Sequence, residues 1–154
     1  MTDAPAEDGA LRLVLARGVG RALAQRGYAT LTEVSLANGR RADVMGLGRA
    51  GDLVIVEVKS SLQDFRSDAK WPEYREFCDR FYFAVAEEFP RDAIPGDCGL
   101  IVADGFGGAV LREAPLLTLA AARRKAVTLR FALLGSLRLR RLLDPAAGDP
   151  EQQV

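Results

Sequence analysis

An α/β fold with a mixed central sheet is predicted by three features of the chain. Apolar positions at helical spacing open and close it, at Leu11 to Leu23 and Leu119 to Leu142. Between them lie short β-branched or aromatic runs, of which Leu53 to Val58 and Arg80 to Val85 are the most apolar. A helix-like stretch separates those two runs, so they need not pair as a hairpin.

In order, Met1 to Gly9 is polar and carries Pro, Asp and Glu, so residues 1–9 are expected to be a disordered lead. Ala10 to Gln25 is an amphipathic helix by the spacing of Leu11, Val14, Leu15, Val19, Ala22 and Leu23, and Gly27 is placed to stop it. Ala29 to Leu36 is a strand with Glu33 between Leu31 and Ser35 on one face, and Asn38-Gly39 is a tight-turn signal. Ala42 to Leu47 and Leu53 to Val58 then form a hairpin across Gly48 to Gly51. Ser60 to Ser67 is a polar connection containing Asp64 and Arg66, and a helix is expected from Asp64 or Ser67 to Cys78, with Pro72 in its first turn. Arg80 to Val85, Gly99 to Ala103 and Ala109 to Arg112 are strands, the last at an edge. Glu87 to Asp97 is a loop punctuated by Pro90, Pro95 and Gly96. Leu119 to Leu143 is a long helix with a candidate break at Gly135-Ser136, and residues 144–154 are expected to be a disordered tail. The 154 residues therefore read as one domain over 10–143.

Composition removes several functions. There is no histidine, which excludes a Ser-His-Asp triad, a histidine general base and the usual zinc enzymes. Cys78 and Cys98 have no metal-like spacing and suit a reducing cytoplasm. No run of eighteen apolar residues predicts a membrane span, and the N-terminus lacks signal-peptide character. Net charge is zero, yet Ala114 to Leu143 holds no acid while Arg123, Arg124, Lys125, Arg130, Arg138, Arg140 and Arg141 are basic. Such a stretch either solvates a helix face or attracts phosphates.

The hairpin carries the chemistry. Alternation along Leu53 to Lys59 sends Glu57 and Lys59 to one face and Val56 and Val58 to the other. Folding back at Gly48 to Gly51 brings Asp43 beside Glu57. Magnesium needs oxygen ligands and keeps several waters, so Asp43, Glu57 and the backbone carbonyl of Val58 form a candidate metal set. Lys59 would stabilise charge on phosphoryl oxygens. A same-face ion pair between Glu57 and Lys59 on a solvated sheet is the simpler alternative. Glu33, a lone carboxylate, is either a surface residue or, by its place next to the following strand, a candidate accessory acid. Arg41 and Lys70 are candidate phosphate contacts, as are Arg123, Arg124 and Lys125. Trp71 and Tyr74, three apart, either pack onto the sheet or stack on a base.

Asp, a hairpin and Glu-x-Lys resemble the PD-(D/E)xK nuclease signature. The longer strings GRRADVMGL, IVEVKSSLQDFRSDAKWPEYREFCDRFYFAV and GLIVAD resemble the MmcB family of bacterial DNA repair proteins, within that nuclease-like superfamily. The similarity runs from about Leu13 to Arg130. It implies a restriction-endonuclease-like core and places Asp43, Glu57 and Lys59 at the superfamily's catalytic positions, with Glu33 accessory. It departs from the pattern at Ala42, where a proline is expected. The expected function is Mg2+-dependent (or Mn2+-dependent) DNA hydrolysis in repair, with DNA and other repair proteins as partners and a homodimer through the long last helix. The alternative is a non-catalytic DNA-binding or recruiting module on the same fold.

Overall fold

The computed structural model describes residues 4–154. Helix α1 (Ala4–Gln25) is followed by strands β1 (Tyr28–Ser35), β2 (Arg41–Gly48) and β3 (Leu53–Val58). A short helix α2 (Leu62–Ser67) and a 3-10 segment (Trp71–Phe77) lead to β4 (Arg80–Val85), β5 (Gly99–Ala103) and β6 (Gly108–Arg112). Helix α3 (Ala121–Leu143) and a 3-10 turn (Pro150–Gln152) complete the chain.

The six strands lie in sequence order. β1–β2 and β2–β3 are antiparallel, β3–β4 and β4–β5 parallel, and β5–β6 antiparallel. The mixed α/β sheet flanked by helices is thus the predicted architecture. The parallel centre is buried on both sides, which is why β3 and β4 read as nearly unbroken apolar runs. One face takes Leu15, Val19 and Leu23 of α1 against Val54, Val56, Val58 and Ile101. The other takes Val127, Phe131 and Leu134 of α3, with Tyr74 and Phe77, against Met45, Ile55, Phe81 and Phe83. α1 sits close because Gly18 lies against the turn after β5: a Cβ there would come within 1.8 Å of the Asp104 carbonyl oxygen.

Five expectations change. α1 begins by Ala4, so the ordered chain extends well into the segment expected to be disordered, and only residues 1–3 of that segment lie outside the described residues. The helix expected from Asp64 or Ser67 to Cys78 is two pieces. Asp68 is extended at the end of α2, and Pro72 lies in the first turn of the 3-10 segment that follows. α3 passes Gly135-Ser136 unbroken, Leu134 beside them being buried in the core. The tail folds back instead of hanging free: Pro150 is buried, Val154 packs on the core, and Glu151 pairs with Arg138 at 2.7 Å. Finally, Glu33 is not a regular strand residue. It is skipped in the ladder between Thr32↔Val44 and Val34↔Ala42, opposite Asp43, and its φ of 51° puts it in the left-handed region without shifting the register.

Arg138 also donates to the carbonyl oxygens of Thr32 and Glu33, tying α3 to this irregular point of β1.

Candidate active site

The β2–β3 ladder ends at Val44↔Val56, and side chains replace its last rungs. The Asp43 N–H donates to Glu57 Oε1 at 3.0 Å, and the Val58 N–H donates to Asp43 Oδ2 at 2.8 Å. Each acid therefore satisfies a backbone donor of the opposite strand where the two splay apart. Val58 presents its backbone edge toward Asp43, and in an extended strand a residue's carbonyl leaves on the same edge as its N–H. The valines obey the predicted alternation: Val56 and Val58 face α1, while Glu57 and Lys59 lie on the opposite side, each only 3% exposed.

Lys59 donates from Nζ to Asp68 at 2.7 Å. Burial alone would raise the Asp68 carboxyl, but the bonds from Lys59 and the Lys70 N–H more than offset it and hold it below its usual range. Glu57 behaves differently. Burial, then the nearby charge of Asp43, pushes it well above the usual carboxylate range, and the Asp43 N–H, Lys59 and Arg12 offset only part of this.

Arg12 of α1 reaches across to this end of the sheet. Its Nη2 lies 3.0 Å from Asp43 Oδ2 and its Nη1 3.1 Å from Asp64 Oδ2. Burial disfavours the guanidinium's charge, but Asp43 and Asp64 outweigh it and raise the pKa. Asp64 in turn accepts from the Ser60 N–H at 3.0 Å, and its own N–H donates to Ser61 Oγ, which caps α2. These groups line a polar cleft of about 630 Å³ with Arg40, Arg41 and Tyr74.

Asp43, Glu57 and Lys59 are thus brought together, and Val58 presents its backbone beside them. Glu33 is set apart: its side chain is exposed, lies 3.6 Å from Arg41, and lines an adjoining recess with Arg12, Asp43 and Val58. Arg41 stands exposed at the cleft lip, its carbonyl accepting from the Tyr74 hydroxyl at 2.9 Å. Lys70 is exposed just beyond Asp68.

Of the other predicted nucleic-acid contacts, Trp71, Tyr74, Arg123 and Arg124 are committed elsewhere. Trp71 stacks on Phe81 at 5.8 Å and lies under the Arg75 guanidinium at 4.7 Å, and Tyr74 is buried and also stacks on Phe81, so packing takes the ring faces a base would need. Arg124 is bound to Asp79 and the Gly51 carbonyl, and Arg123 lies over Phe77 beside Glu76. Lys125 is exposed on the same turn of α3. That turn packs near the Leu53 end of β3, about 13 Å of strand away from Glu57 and about 20 Å from Lys59.

Arg12, Asp64 and Asp68 are site residues that the motif reading did not supply. Ser61-x-x-Asp64 has capping-box character and was legible as a helix start. Arg12 and Asp68 had no comparable local signal, because their partners lie 31 and 9 residues away.

The fold and this end of it define an α/β protein whose mixed sheet opens at a splayed hairpin holding two carboxylates and a buried lysine. The chain belongs to the MmcB-like DNA repair protein family, whose model matches residues 2–146. It is 44% identical to the SPO1766 protein of unknown function from Silicibacter pomeroyi, with a TM-score of 0.84 over 88% of this chain and 92% of that one. A repair endonuclease from Pyrococcus abyssi aligns at 17% identity and a TM-score of 0.37, over 60% of this chain and 42% of its own. No curated protein matches the chain. Among the described residues no helix is long and apolar enough to cross a membrane.

Proposed function

We propose that this DNA repair protein is a Mg2+-dependent deoxyribonuclease that acts in the cytoplasm, with Asp43, Glu57 and Lys59 as its catalytic residues. The observation that carries the reading is Glu57, an acid buried beside a second acid, whose charged form its neighbours only partly stabilise and a bound cation would complete. A hard divalent cation is the ligand such a donor set suits, since one or two carboxylates plus substrate phosphate can complete a magnesium shell. Asp43 and Glu57 would hold the ion, with the Val58 carbonyl as third oxygen. When bound, it polarises the phosphate and lowers the pKa of a coordinated water.

The chain's own groups supply the rest. Lys59, fixed by Asp68, places a fixed positive charge in the cleft against the negative charge that develops on the phosphoryl oxygens. Arg40 and Arg41 at the lip offer contacts to flanking phosphates. Tyr74 anchors the Arg41 backbone and so positions that lip.

One observation favours the non-catalytic DNA-binding or recruiting module instead: Arg12 already neutralises Asp43 and Asp64. The two readings separate in a cleavage panel of labelled single-stranded, duplex, flap and junction DNAs with Mg2+ or Mn2+. Metal-dependent cutting that falls by about 10²-fold or more in both Glu57→Ala and Lys59→Ala supports the nuclease. Salt-sensitive DNA binding by the wild type with no cutting of any substrate would replace it with the binding module.

A further inference from the structure

Arg12 holds the face of Asp43 that an incoming cation must use. Of the two Asp43 oxygens, Oδ2 accepts from the Val58 N–H and from Arg12, and Oδ1 accepts from Arg12 at 3.1 Å. The other guanidinium nitrogen, Nη1, grips Asp64 at 3.1 and 3.4 Å. Asp64 does not depend on that grip, since the Ser60 N–H and hydroxyl also donate to it. One end of the fork is therefore set on a carboxylate built into the α2 cap, and the other on a candidate metal ligand.

We infer that Arg12 is a displaceable counter-cation of the site, pivoting on Asp64, that gives up Asp43 to the divalent ion and turns its freed nitrogen to substrate phosphate. The inference rests on the nuclease reading and adds a positioning residue to it. The physical case is charge and shape. A guanidinium and a divalent ion cannot share one carboxylate face without repulsion in a half-buried cleft. The planar fork of arginine lets Nη1 stay on Asp64 while Nη2 leaves, and arginine is well suited to phosphate oxygens. In the metal-free protein Arg12 keeps two neighbouring acids from repelling each other. With metal and substrate present the same side chain sits at the cleft wall with a donor to spare.

The test is Mn2+ binding by titration calorimetry to the full chain without DNA, for the wild type, Arg12→Gln and Arg12→Lys. Thermal melts establish that each variant is folded. Arg12→Gln is expected to bind Mn2+ at least about fivefold more tightly, because a competing positive charge is gone. Arg12→Lys keeps the charge and is expected to stay near the wild type. In a second arm, with Ca2+ present, binding of a labelled single-stranded oligonucleotide is expected to weaken severalfold in Arg12→Gln. Equal Mn2+ affinity in wild type and Arg12→Gln would overturn the displacement while leaving the metal site standing. Absence of Mn2+ binding from all three proteins would overturn the metal reading and the inference together. Tighter Mn2+ binding with unchanged oligonucleotide affinity would overturn the turn toward phosphate.

Discussion

At the Leu53 end of β3, Asp79 accepts from the Leu53 N–H at 2.7 Å and holds both terminal nitrogens of Arg124. At the Val58 end, Glu57 accepts one backbone N–H and faces a second acid. Both carboxylates are nearly buried, 6% and 3% exposed, yet their titrations move in opposite directions. The Arg124 hydrogen bond, working against burial, leads in lowering Asp79, whereas burial and Asp43 raise Glu57. Asp79 joins the start of β3 to α3 as a completed ion pair. Glu57 is an acid whose charged form lacks a full counterpart. Acids of similar burial are thus structural at one end of a strand and suited to chemistry at the other.

The sharpest way to break the contrast is Asp79→Ala. It orphans the Leu53 N–H and strips Arg124 of its partner, and it is expected to cost about 3 kcal/mol in urea denaturation. Glu57→Gln is expected to do the opposite, gaining about 1 kcal/mol at pH 8 while abolishing cleavage. That gain carries a pH signature. Glu57 keeps its proton in the folded state at pH values where the unfolded chain has lost it, so stability falls as pH rises through the raised folded pKa. The Gln variant lacks this fall, and the difference between the two melting curves should shrink toward pH 5. Asp79 works from the other side: its lowered pKa contributes stability above the ordinary carboxylate value that is lost as pH drops below about 4. Asp79→Ala should flatten the acid limb of the stability profile. Arg124→Gln is the mildest change, about 1 kcal/mol or less, because the arginine is 36% exposed and water can replace it on Asp79.

Leu53–Val58, Arg80–Val85 and Gly99–Ala103 were legible to the residue because a doubly covered sheet demands apolar runs between turn signals. Asp43 and Glu57 could be paired in advance because hairpin register follows from the position of the turn. What stayed hidden depended on distant partners. Ser67 to Lys70 reads as helix by propensity, but Asp68 is extended and turned to Lys59. The basic residues at the start of α3 read as a phosphate-binding set until Asp79 and Glu76 claim two of them. Glu33 was placed on a regular face because a single left-handed residue leaves no mark in the alternation of Leu31, Glu33 and Ser35. Polar residues show that a charge is present, and only the fold shows which opposite charge it meets.

The contact between Arg138 and the irregular point of β1 bears on a different property. β1 is the first strand of the sheet, and an open strand edge is a template on which another chain can add. At Thr32 and Glu33 the guanidinium of α3 takes carbonyl oxygens that such a chain could use, and the left-handed backbone at Glu33 interrupts the regular line they would have formed. The opposite edge, β6, is only five residues long and slips register against β5. Neither border offers a long flat ladder, so the sheet resists sideways growth into aggregates even where its apolar strands are concentrated.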